Sequence, residues 1–403
     1  MHRLAVSIAV ALLAGTAPAL AGDEKSPPAG SAQPRATMHE IFAAMSYLLP
    51  LSVDPESFAN PAEREAVTRN LSVLARSVDA LQGHAGDRDA GFRFLSRSLG
   101  EDIEEARIRY ARNQYEEARY FLVGSIQNCI ACHSKRPSER AYPFADKLTS
   151  QVEIEALLPH ERAQLYIATR RFDEAMSTWE KLFADPTVPL TQMDIAGAFR
   201  DYLTVSIRVR RDLVRPQAAF QKLLKRPDLP HYLGQHFRAW IDSMKQLQGS
   251  FQKPPTVAGA SALTDKASQL GVWPSDSAGL VYDLVASSLL NQFIEEGMAR
   301  APGEQPHEQI AEALYLMGVI DGRSLDSYWV PQAENYLEAA IRMAPGTPTA
   351  KKAYSVLEEN VVHGYGGYSE EHLPADVWAM LQNLRGLAGV EGRDGVEGRD
   401  EPE

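Results

Sequence analysis

Apolar residues recur along this chain at steps of three and four, the spacing of one buried face on an α-helix, and no segment shows the alternation of a half-buried strand. Met38, Ile41, Phe42, Met45, Leu48 and Leu49 form the first stripe, and Pro50 predicts its end because proline removes a helical hydrogen bond. After a loop holding Pro55 and Pro61, the stripe Val67, Leu71, Leu74, Val78 and Leu81 predicts a second helix that ends near Gly83-His84. Phe92, Leu95, Leu99 and Ile103 mark a third, with a break near Arg112-Asn113. Tyr115, Ala118, Phe121, Leu122, Ser125 and Ile126 carry a fourth helix into Cys129-Ile130-Ala131-Cys132-His133, and Pro137 closes it. Four amphipathic helices with short connections predict an antiparallel four-helix bundle over residues 37–140.

From about residue 150 to 388 the pattern stays helical but becomes one of paired, shorter helices separated by proline-containing turns. Two windows match in kind: Ala163 to Pro186, with Tyr166, Phe172, Ala175, Trp179 and Leu182, and Leu314 to Pro345, with Gly318, Ala333, Leu337 and Ala340. Pro216, Ala219, Phe220 and Leu223 outline a third. These windows resemble tetratricopeptide repeats, in which small and aromatic positions let one helix nest on its partner. Two clear repeats fall short of the three a stable stack needs, so the divergent pairs between them are expected to complete it. Gly249 to Gly259, with Pro254-Pro255, reads as a linker between two groups of pairs. The tail 389–403 repeats Gly-Val-Glu-Gly-Arg-Asp and is expected to be disordered. Trp240, Trp273, Trp329, Tyr365 and Tyr368 fit packing between helix pairs or the lining of a partner groove, and Gly364 to Tyr368 reads as a turn.

The start of the chain has a different character. Met1-His2-Arg3, the apolar run Leu4 to Gly15 and the small residues of Ala19-Leu20-Ala21 predict a secretory signal over residues 1–21. The run is too short to span a bilayer, which takes roughly 20 apolar residues, and no later segment reaches that length. Residues 22–36 are polar and proline-rich and read as a disordered leader. The periplasm is the expected address, with no membrane span in the mature chain. A chain of 403 residues has room for two or more domains, and its net charge of −12 argues against nucleic acid as a partner.

The two cysteines are the only ones in the sequence, and both lie in one unit, Cys129-x-x-Cys132-His133. That is the attachment signature of c-type haem. Two thiols one helical turn apart can add across the two vinyl groups, and the adjacent imidazole is then set beneath the iron. A structural zinc site takes four Cys or His ligands, and no second Cys pair is present. A thioredoxin-like site takes a βαβ setting, which this pattern lacks. The expected cofactor is one covalent haem c, with Cys129 and Cys132 as its attachment points and His133 as an iron ligand.

The bundle with haem on its last helix resembles the cytochrome c-prime family and its low-spin relatives. In that family the sixth-ligand position lies early in the first helix, twelve residues before a proline, and holds Met in low-spin members and often Leu in five-coordinate ones. Met38 stands twelve residues before Pro50, so the resemblance implies Met38 as the axial partner of His133. Read from the residues alone, Met38 shares a face with Phe42 and Met45 and equally suits plain core; His39 is an alternative ligand, as is an open site, and His84 reads as a loop residue. Family members usually carry a basic residue four positions after the haem histidine, where this chain has Pro137, preceded by Lys135 and Arg136.

The expected architecture is therefore all-α: a haem-bearing four-helix bundle followed by a tetratricopeptide-like domain. The expected function is electron transfer to or from a periplasmic redox protein docked through the repeats. Nitric oxide or carbon monoxide binding at five-coordinate iron, and a scaffold role in assembly, are the alternatives. No catalytic constellation accompanies the haem motif, so an enzyme is not expected; homodimers are common among the relatives of the bundle, which makes a homodimer a possible state here unless the extra domain covers that surface.

Overall fold

The computed structural model describes residues 32–84, 90–135, 154–193, 195–271, 276–301, 303–323, 331–365 and 373–391. The segment expected to be a signal, most of that expected to be a leader, Pro137, Trp273, Trp329, Tyr368 and most of the expected tail lie outside them. The chain is all-helical, with sixteen α-helices and no strand among the described residues.

Helix α1 runs over Ala32–Val53 and buries Ile41, Ala44, Met45, Leu48 and Leu49 on one face. It corrects two expectations: the helix begins inside the segment read as leader, and it continues through Pro50 for three further residues. Proline costs a helix interior the one hydrogen bond its nitrogen cannot donate, and this close to the end the loss does not break the last turn. A short helix α2, Pro55–Phe58, follows where a loop was expected; Asp54 caps it by accepting from the Glu56 and Ser57 amides at 3.2 Å each. Helices α3 (Arg64–Gly83), α4 (Ala90–Ala111) and α5 (Tyr115–His133) complete the bundle. The α4–α5 turn places Asn113 at a φ of 62°, a left-handed conformation that Asn tolerates better than most residues.

Side-chain bonds fix the bundle's register. Ser77 on α3 donates to Glu40 on α1 at 2.8 Å, and Tyr47 on α1 donates to Glu63 at the start of α3. Gln82 at the end of α3 reaches the Ser96 carbonyl on α4 at 3.2 Å, and Asn128 on α5 donates to Asp102 on α4 at 2.8 Å. Arg119 near the start of α5 reaches the Ser52 carbonyl near the end of α1 at 3.4 Å. Neighbouring helices are thus antiparallel, and one end of the bundle gathers the start of α1, the end of α3, the start of α4 and the end of α5.

The remaining helices form two further cores. The first holds a chain of aromatic contacts, with ring centroids 4.9 Å apart for Phe183 and Phe199, 5.0 Å for Phe199 and Phe237, and 5.3 Å for Phe220 and Trp240. Trp240 is fully buried and donates from Nε1 to the Ser277 carbonyl at 2.8 Å, so it is core, whereas Tyr365 is exposed. The expected hairpin at Ala163 to Pro186 is present as Pro159–Ala168 and Phe172–Ala184, and that at Leu314 to Pro345 as His307–Gly322 and Ala333–Met343. The expected linker is only partly irregular, because Thr256 caps a helix at Val257–Leu270 that includes Gly259. Leu95, Ile130 and Ala131 of the bundle belong to the first of these cores and Ala90 to the second, so the haem-motif end of the bundle is packed into the helical array.

Candidate functional site

The motif occupies the last turn of α5. Ala118, Leu122 and Ser125 bury one face of that helix, Ile130 and Ala131 bury the opposite side against the array, and the Ser134 amide closes the end by donating to the Ile130 carbonyl at 2.9 Å. Cys129 and Cys132, three residues apart, are half-buried and one turn from each other. Burial pushes the Cys129 thiol up to about 12, with the neighbouring Cys132 adding to the effect, so it stays protonated at neutral pH.

His133 is half-buried, and its Nδ1 lies 2.8 Å from the carbonyl oxygen of Ala168, at the end of the Pro159–Ala168 helix. A carbonyl oxygen can only accept, so Nδ1 carries the proton and Nε2 keeps its lone pair. Burial is the main cause that drives the imidazole down to about 3; the nearby Arg170 charge acts the same way, and the bond to Ala168 opposes them. The ring is therefore neutral and held in one tautomer, the state required of a metal-binding histidine.

Met38 lies partly buried on the bundle core. Its level follows from the Ser52–Arg119 contact between antiparallel α1 and α5: fourteen residues separate Ser52 from Met38, and fourteen separate Arg119 from His133. At about 1.5 Å per residue both positions lie the same distance along the bundle, at its array-facing end. His84 is at that end too, as the residue that closes α3, its amide donating to the Leu81 carbonyl at 3.1 Å; His39 follows Met38 on α1.

Sequence reasoning missed a buried polar layer behind the motif. Lys135, two residues after His133, is only 6% exposed, with its Nζ 5.1 Å from the centre of the Tyr336 ring. It fits because Gly91 on α4 has no side chain: a Cβ there would lie 1.8 Å from Lys135 Nζ. Asp321 is pushed up by burial, against the pull of its bond from the Gln332 amide and of the Arg208 and Lys135 charges. Burial likewise lowers Arg208. The Lys-Arg pair after the histidine was the only sequence signal for this layer. The Ala168 carbonyl, a backbone atom, had none.

Among the described residues no group of three or more His, Cys, Asp or Glu side chains is arranged to hold a metal ion between them. Cys129, Cys132 and His133, at steps of three and four, share one face of α5. Comparison with protein-family models, with curated proteins and with solved structures finds no match to this chain.

Proposed function

We propose that this protein is an exported electron-transfer cytochrome carrying one covalent haem c. Cys129 and Cys132 would form its two thioether bonds, His133 Nε2 would bind the iron on one side, and Met38 on the other. The observation that carries the reading is the fixed tautomer of His133: its Nδ1–H is spent on the Ala168 carbonyl, which leaves the Nε2 lone pair on the same helix as two thiols one turn apart. The matched levels of Met38 and His133 support the axial pair. The bound haem would supply one-electron exchange between ferrous and ferric iron, and a thioether ligand with burial favours a raised potential.

The chain's own part is to hold the histidine neutral and oriented and to keep the site among packed helices. The helix pairs after residue 154 would form tetratricopeptide-like units that dock a periplasmic redox protein, and no helix among the described residues is long and apolar enough to cross a membrane. Export rests on the signal pattern of residues 1–21. The test is the absorption spectrum of protein expressed with its leader in a haem-attaching host, oxidised and reduced, beside Met38→Ala and Cys129→Ala. A reversible low-spin spectrum with a sulfur-to-iron band that vanishes in Met38→Ala is expected, together with loss of covalent haem in Cys129→Ala. A high-spin spectrum unchanged by Met38→Ala would replace electron transfer with gas binding, and absence of haem from the wild type would end the proposal.

A further inference from the structure

Behind the haem motif, two cations meet where the bundle enters the array. Lys135 is buried, and Arg208, partly buried, stands in the π-helical turn Val205–Val209, a wide turn of a kind that recurs at functional sites. The charges of both act on Asp321, whose Oδ2 is engaged by the Gln332 amide. Arg208 Nε is buried without a hydrogen-bond partner, and so is the Gln332 side-chain oxygen. Gly91 keeps the place open: a Cβ there would lie 1.8 Å from Lys135 Nζ, 2.8 Å from Gln332 Oε1 and 2.9 Å from the Tyr336 hydroxyl.

This layer borders the proposed haem site on two sides. Lys135 follows His133 by two residues, and Gly91 precedes Phe92, which packs on the same core as Met38. Haem c carries two propionate carboxylates on one edge of its ring. A carboxylate leaves water at a cost unless cations and donors meet it, and a guanidinium meets it with two parallel hydrogen bonds. The layer fits that need: Lys135 and Arg208 outnumber Asp321 in charge, an arginine donor lacks its acceptor, and the space beside Gly91 is one that a side chain would fill.

Resting on the haem reading given above, we propose that this layer binds one haem propionate, with the Arg208 guanidinium donating to its oxygens and Lys135 adding the second charge. The cofactor is then held from both parts of the chain, by the thioethers and His133 from the bundle and by Arg208 from the array. A cation at the propionate also favours ferrous over ferric iron, because reduction lowers the positive charge of the haem.

Resonance Raman spectra and reductive titrations of the haem-loaded full chain test this in the wild type, Arg208→Met and Arg208→Lys. Arg226→Met is the control, since Arg226 donates to Asp228 and to the Phe183 and Val188 carbonyls and not to the layer. One propionate bending band of the wild type is expected at the frequency of a hydrogen-bonded carboxylate. Arg208→Met is expected to move that band to the frequency of a solvated carboxylate and to lower the midpoint potential. Arg208→Lys is expected to keep most of the potential, and Arg226→Met to change neither. A wild type with both propionate bands at the solvated frequency overturns the proposal, as does an Arg208→Met protein with band and potential unchanged. Should Arg208→Met not fold, the wild-type bands decide. A wild type without haem ends the functional reading and this inference together, whereas attached haem with two solvated propionates ends this inference alone.

Discussion

Gly318 offers the sharpest test of the helical packing, because its effect can be worked out with opposite contributions. It lies inside the His307–Gly322 helix, where replacing glycine by alanine ordinarily adds about 1 kcal/mol of stability through backbone entropy. Here a Cβ would stand 2.7 Å from Leu337 Cγ, 2.8 Å from Leu337 Cδ2 and 3.1 Å from the Ala333 carbonyl oxygen, against about 3.5–4.0 Å for a comfortable carbon contact. Leu337 is fully buried and the Ala333 oxygen is backbone, so neither can move aside without parting this helix from Ala333–Met343. Overpacking of this kind costs about 1–3 kcal/mol, and with contacts this short on two atoms of a buried side chain and one backbone atom the upper part of that range applies, so that its excess over the propensity gain leaves Gly318→Ala destabilised by up to about 2 kcal/mol. Gly124, in the middle of α5, is the control, because a Cβ there would meet no atom within 4 Å. Gly124→Ala is expected to gain up to about 1 kcal/mol. Urea unfolding followed by circular dichroism reads both. A Gly318→Ala protein at least as stable as the wild type would refute the close crossing of these two helices.

Two further outcomes follow from buried charges. Burial raises Asp283 from 3.8 to about 6 despite its pairing with Arg323, so the native state holds this proton more tightly than the unfolded chain. Its stabilising contribution is complete below about pH 4 and is lost as pH rises through about 6, a fall of up to about 3 kcal/mol that Asp283→Asn is expected to flatten in urea midpoints measured across that window. Arg226 donates to the carbonyls of Phe183, Asp185 and Val188 at 2.8 to 2.9 Å and to Asp228 at 2.7 Å. Arg226→Met is expected to cost about 2–3 kcal/mol and to speed proteolytic cleavage between residues 185 and 190; unchanged cleavage would mean that the loop is held by other contacts.

The helices were legible because burial on a helix writes a period of three and four into the chain, and the stripes at Val67 to Leu81 and Tyr115 to Ile126 sit on α3 and α5. Pro50 misled because a local rule was applied without its position: proline's cost is finite, and one turn from a helix end the packing of Leu48 and Leu49 outweighs it. Lys135 looked like a solvated residue after a helix, and its burial depends on Gly91, 44 residues earlier in the sequence and adjacent only in the fold.

The candidate site was legible as far as the spacing of its three motif residues and no further. Cys129, Cys132 and His133 are recognised by spacing, but the orientation of the imidazole is set by Ala168, whose side chain plays no part in the bond. This places the control of the histidine outside its own bundle. The array contributes the carbonyl that fixes the tautomer, the Arg170 charge that helps keep the ring neutral, and the apolar surface on which Ile130 and Ala131 rest. A bundle without the array would keep all three motif residues and lose the partner that aims the third. The array's most direct hold on the imidazole is therefore one backbone oxygen, and a displacement of the Pro159–Ala168 helix would be felt at His133.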